Sequence, residues 1–125
     1  MAVRRRIDPE TGRNALDRWK DARAVGAAPV DRTTLATAVR FTLEELAARH
    51  EGNSVEVRVP PFGVTQCIPG PRHTRGTPPN VIETDPETWL SLVTGSLSFA
   101  EATASAAVTA SGTRADLTEE LPLFG

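Results

Sequence analysis

Residues 80–101 read NVIETDPETWLSLVTGSLSFAE, and three structural signals follow one another in it. Asn80 to Thr84 is a short β-prone run. Asp85-Pro86 is a helix start. An Asp at the N-cap accepts from free backbone N–H groups, and a Pro in the first turn has no N–H to leave unpaired. Trp89, Leu90, Leu92 and Val93 then make a mostly apolar helix, which Gly95 stops. Ser98-x-x-Glu101 has the form of a capping box, in which side chain and backbone satisfy each other reciprocally. It opens a second short helix carrying Phe99, Ala102 and Ala106.

Upstream, the hydrophobic period is two. In Ser54–Ile68 (SVEVRVPPFGVTQCI), Val55, Val57 and Val59 alternate with Glu56 and Arg58, as in a strand with one buried face. PPFG turns the chain, and Val64 to Ile68 reads as the antiparallel partner, with faces Val64/Gln66/Ile68 and Thr65/Cys67. Before these, the period is helical. Leu35, Val39, Leu43 and Leu46 line one stripe between Asp31 and Arg49, widened by Ala36 and Ala47, while Arg40, Glu44 and Glu45 point elsewhere. Gly52 is available for a left-handed cap. A first helix starts at Asp8-Pro9, with an apolar face of Ala15, Leu16, Trp19 and Ala22, and Gly12 weakens its early turn. Arg23–Asp31 is the linker. Downstream, Ala107–Ser111 is a last strand. Thr113–Asp116 (TRAD) reads as another capping box, opening a final short helix with Leu117 and Leu121, closed by Pro122. The order α-α-β-β-β-α-α-β-α predicts an α+β fold: a mostly antiparallel sheet with helices covering one face.

The 125 residues suit one domain with one modest core. Four Phe, two Trp and no Tyr leave that core to aliphatic side chains. The net charge of −2 points to no nucleic-acid partner. The first 50 residues carry an excess of +3, mostly from Arg4, Arg5 and Arg6, which reads as a solvated tail. A single cysteine, Cys67, excludes an internal disulfide framework and fits a reducing compartment. No apolar run approaches the roughly 18–20 residues that span a bilayer, so no stable membrane insertion is expected. The N-terminus lacks the apolar segment of a signal peptide, and a cytoplasmic location is the expectation.

Phosphate-loop, dinucleotide-fingerprint, zinc-protease and nucleophile-elbow motifs are all missing. The two histidines are His50, at the fraying end of the second helix, and His73. Cys67 and His73 are too few ligands for a zinc site, so neither metal nor cofactor is expected. They could form a nucleophile–base pair for thiol or acyl chemistry, but a strand cysteine is ordinarily a small buried hydrophobe. Arg72, His73 and Arg75 stand in a loop holding four of the ten prolines. Two readings stay open for them. They meet an acidic head group, or the arginines pair with Glu83 or Asp85.

The stretch Val81–Pro122 resembles the C-terminal half of the sterol carrier protein 2 (SCP-2) family. The resemblance rests on an apolar strand with an Asp cap, a helix carrying Trp89, the Leu92-Val93-Thr94-Gly95-Ser96-Leu97 step, a short helix, a strand, Gly112 and a final Leu-bearing segment. Val55–Cys67 and Gly70–Pro86 look like the small bacterial, actinobacterial branch. Coverage is about residues 31–124, which divides the chain into an N-terminal helix and linker (1–30) and an SCP-2-like domain (31–125), one globular domain overall. The resemblance implies a sheet of about five strands. It also implies an apolar tunnel between sheet and helices for a fatty acyl chain or other lipid, in a domain not generally catalytic. Leu35, Val39, Leu43, Val55, Val57, Trp89, Leu90 and Phe99 would line it, with Arg72, His73 and Arg75 as a polar mouth. An empty cavity of ~300 Å³ would cost roughly 7 kcal/mol, comparable to the about 5–15 kcal/mol stability of a small domain. The unliganded tunnel is therefore expected to be small, partly collapsed or filled. The alternatives are a protein-interaction or accessory domain without lipid and the Cys67/His73 enzyme, and a protein partner or a homodimer is open in either case.

Overall fold

The computed structural model describes residues 5–70 and 80–125. Helix α1 spans Pro9–Ala24 and begins as its sequence dictates, with Asp8 Oδ2 accepting from the Thr11 N–H at 3.1 Å. Gly12, Ala15, Leu16 and Trp19 form its buried face, and Ala22 is half-buried. Helix α2 spans Arg32–Arg49. It buries much more than the stripe its spacing predicts: Ala38, Phe41 and Thr42 are also inside. α2 lies between α1 on one side and β2 and α3 on others, so most of its circumference is covered. Its end also differs from expectation. His50 is the C-cap, and Gly52 allows a close backbone approach instead, since a Cβ there would sit 2.0 Å from the Ile68 carbonyl oxygen.

The strands are β1 (Val55–Val59), β2 (Gly63–Cys67), β3 (Asn80–Thr84) and β4 (Val108–Ser111), in spatial order β2-β1-β3-β4. β1 and β2 form the expected antiparallel hairpin, with Val55 opposite Cys67 and Val59 opposite Gly63. β3 and β4 are also antiparallel, with Ile82 opposite Ala110. β3, however, pairs with β1 in parallel, Val57 opposite Ile82, so the sheet is mixed. The described residues hold four strands rather than about five. Two features explain the parallel pairing. Val55, Val57 and Val59 are fully buried, which suits a strand flanked on both sides. The link at residues 68–79 has about the dozen residues a parallel crossover needs.

The register sorts the faces. Val55, Val57, Val59, Thr65, Cys67 and Ile82 share one side, and Glu56, Arg58, Val64, Gln66 and Glu83 the other. β2 ends at Cys67 rather than Ile68, because Ile68 has φ 69° and turns the chain away. That unfavourable geometry for a β-branched residue is held by the Ile68 N–H donating to His50 O at 2.6 Å. The Ser54 N–H and hydroxyl in turn donate to Ile68 O at 3.1 and 2.7 Å.

Helices α3 (Pro86–Val93) and α4 (Phe99–Ala104) carry the expected caps. Asp85 Oδ1 accepts from the Thr88 N–H at 2.9 Å. Ser98 and Glu101 form both 3.0 Å bonds of the capping box. The final helix is not formed. Asp116, not Thr113, provides the side-chain acceptor, taking the Thr118 N–H at 2.8 Å. A turn over Thr118–Glu120 follows, closed by the Glu120 and Leu121 N–H groups donating to Leu117 O, and too few residues precede Pro122 to extend it. Leu117 is nonetheless fully buried. Leu16 and Trp19 of α1 share one apolar cluster with the sheet valines, Trp89, Leu90 and Leu117.

Candidate functional site

Val39, Leu43, Val55, Val57, Trp89, Leu90 and Phe99 lie buried in that cluster, and Leu35 packs half-buried against it. All eight residues predicted from sequence as lining thus share one region between helices and sheet, packed against one another's neighbours. Trp89 is fully buried. A buried indole N–H needs an acceptor, and Trp89 Nε1 donates to Thr42 Oγ1 at 2.9 Å. Thr42 Oγ1 in turn donates back along α2 to Ala38 O (2.8 Å) and Val39 O (2.9 Å). No buried side-chain nitrogen or oxygen among the described residues lacks a partner. Sequence reasoning missed Thr42, whose only signal was a hydroxyl between the apolar Phe41 and Leu43.

A cleft of about 420 Å³ opens beside this cluster, between α2, the β1–β2 hairpin and residues 6–7. Ile7, Leu43, Phe62 and Val64 supply its apolar wall, and Arg6, Arg40 and Glu44 its polar edge. Leu43 belongs to both core and cleft, so the cleft is where the interior layer meets the outside. Residues 5–7 are fixed along α2. The Arg6 and Ile7 N–H groups donate to the Glu44 carboxylate at 3.0 and 3.1 Å, and Arg5 pairs with Glu45 at 2.6 Å. Phe62 was read only as part of a turn. It is in fact buried against α2, with the Arg40 Nε–H donating to its carbonyl at 2.9 Å. An aromatic inside a turn sequence was the available clue.

Arg72, His73 and Arg75 fall outside the described residues, so the polar mouth remains a reading of sequence. Cys67 is buried within the core cluster. Burial, and secondarily the charge of Glu120, pushes its thiol up to about 12. At pH 7 such a group is thiolate in roughly one molecule in 100,000, which is poor equipment for a nucleophile. Among the described residues, no group of three or more His, Cys, Asp or Glu side chains could hold a metal ion. No described helix is long and apolar enough to cross a membrane.

Among curated proteins, none matches the chain. Residues 31–123 match a family model described as "Bacterial SCP ortholog". The match starts at the N-cap of α2 and runs through β4 to Leu123, taking in the sheet, α2 to α4 and the α2 and hairpin walls of the cleft, and it leaves α1 and the Arg6–Ile7 wall outside. The chain belongs to the bacterial SCP ortholog family.

Proposed function

We propose that the protein is a non-catalytic carrier-type domain for a hydrophobic or amphipathic ligand, such as a fatty acyl chain. The observation that carries this reading is the cleft over Leu43. At about 420 Å³ it falls within the roughly 300–1,000 Å³ of ordinary ligand pockets, and it abuts the apolar layer between helices and sheet. A ligand chain entering past Ile7, Phe62 and Val64 would lie against Leu43. It could extend toward Leu35, Val39 and the sheet valines by displacing side chains rather than filling a standing void. Removing apolar surface from water would drive binding, at about 25 cal/mol per Å². The family membership and the raised, buried thiol of Cys67 both support carriage over chemistry.

The test is displacement of a fluorescent fatty acid from the delipidated full chain, compared with Thr65→Trp. Thr65 lines the cleft, shares the core-facing side of β2 with Cys67 and is only half-buried, so a larger side chain there can occupy the cleft from the edge of the sheet. Saturable binding in the wild type, weakened at least about tenfold in the variant, is expected. No saturable binding, or equal affinity in both proteins, would overturn the reading.

A further inference from the structure

On α2, the sequence RTTLATAVR places Arg32, Ala36 and Arg40 at four-residue spacing, with Thr33 and Thr37 beside them. These five positions form one helix face. They line a second cleft of about 260 Å³, whose opposite wall is Pro61 and Phe62 from the β1–β2 turn. The composition of that face is specific. Two guanidiniums stand at its ends, a methyl side chain leaves room between them, and two hydroxyls flank the gap. The Phe62 ring sits under both arginines, 5.0 Å from the Arg32 guanidinium carbon and 6.0 Å from that of Arg40.

Neither cation is neutralised. Among the described residues, the ion pairs use Arg5, Arg13, Arg23, Arg49 and Arg58. Among the described residues, no carboxylate lies within salt-bridge reach of Arg32 or Arg40. Arg40 commits only its Nε–H, to Phe62 O, which fixes the plane of the guanidinium and leaves its four terminal N–H groups free. The adjacent Asp31 carboxylate is engaged by the Thr34 hydroxyl. The hydroxyls of Thr33 and Thr37 make no hydrogen bond within the described protein. The cleft adjoins the larger one, and Arg40 and Phe62 line both.

We infer that the Arg32–Arg40 face is an anion site that holds the head of an amphiphile whose chain occupies the cleft over Leu43. The chemistry is that of a single compact anionic head, a carboxylate or a phosphate monoester. An arginine fork matches either bidentately, and threonine hydroxyls can supply further donors. This rests on the carrier reading for the chain-binding half, whereas the anion site itself can be tested without it.

The experiment has two arms. In the first, hexadecanoate, hexadecyl phosphate and hexadecan-1-ol compete for the delipidated full chain, in the wild type and in Arg32→Gln. The anionic amphiphiles should bind at least about tenfold more tightly than the alcohol. Arg32→Gln should erase most of that preference while leaving the alcohol unchanged. The tighter of the two anions identifies the head. In the second arm, butyl phosphate, too short to fill the apolar cleft, is titrated while amide resonances are followed by NMR. Saturable shifts confined to Arg32, Thr33, Thr37 and Arg40 are expected. Saturable butyl phosphate binding there without any amphiphile binding would keep the anion site and overturn the carrier reading. Equal affinity for acid, phosphate and alcohol, a preference indifferent to Arg32→Gln, or no shifts on this face would overturn the anion site.

Discussion

Trp89 Nε1 donates a 2.9 Å hydrogen bond to Thr42 Oγ1 in the interior, fastening α3 to α2 across 47 positions of sequence. The bond fixes how deep the largest core side chain sits. In Thr42→Val, a change of nearly constant shape, the indole N–H would be buried with no acceptor. Leaving such a donor unpaired costs about 1–3 kcal/mol. Urea unfolding should show that loss, and it should be smaller when Thr42→Val is made in a Trp89→Phe background, where there is no N–H left to strand. Equal losses in both backgrounds would mean the bond contributes nothing.

Gly12 presents a competition between two effects of opposite sign. Gly to Ala in a helix interior gains up to about 1 kcal/mol from propensity. A Cβ at Gly12, however, would stand 2.3–2.5 Å from the Cβ and ring atoms at the root of Phe41. Phe41 is itself buried on α2 and in contact with the Phe124 ring, centroids 5.7 Å apart, so it has little room to move. Overpacking of this kind costs typically about 1–3 kcal/mol, and we expect it to win. Gly12→Ala should lower the urea midpoint, and a rise would show that α1 and α2 can separate cheaply.

The same glycine shows what the sequence could and could not convey. Locally it reads as a weak helical turn. Its real role, letting α1 approach α2, depends on Phe41, 29 positions away, and no periodicity encodes that. The Asp-Pro starts, the Ser98–Glu101 box and the alternation in β1 were legible because each is satisfied within a few residues of itself. The parallel pairing of β3 with β1 was not legible, since alternation tells which face a strand buries but not which neighbour it takes. The eight expected lining residues were found by apolar spacing, which places side chains in the interior equally well whether that interior is packed or hollow. Phe62, Thr42 and the Arg32–Arg40 face were passed over because their partners are non-local. Each gains its meaning from the hairpin or α3 closing onto α2.

Cys67 should behave as a sealed core residue. With its thiol pushed up to about 12, the native protein should resist alkylation by iodoacetamide even at pH 9, where an ordinary cysteine is largely ionised. Labelling should accelerate with urea in step with unfolding. The sign for stability follows: the unfolded chain ionises through the ordinary thiol range while the native chain does not. Stability from this group is therefore complete below that range and declines as pH rises from it toward 12. Rapid labelling at pH 7 in the absence of urea would contradict the burial. Cys67→Ala, which removes the thiol altogether, should leave fatty-acid affinity intact.

Glu101 makes the opposite linkage at the start of α4. The Ser98 backbone N–H, and after it the Ser98 side chain, holds its carboxyl below the usual range. A carboxylate with a depressed native pKa adds stability that is present above its unfolded pKa and disappears as pH falls through the native one. Glu101→Gln keeps an oxygen for the Ser98 N–H but removes the charge. The wild type should therefore be the more stable of the two at pH 7, and their urea midpoints should converge as the pH falls below the ordinary carboxylate range. Ser98→Ala, which deletes the other half of the box, should cost about 1 kcal/mol at pH 7. A wild-type minus Glu101→Gln difference that stays constant between pH 7 and strong acid would show that the carboxylate charge has no part in holding α4.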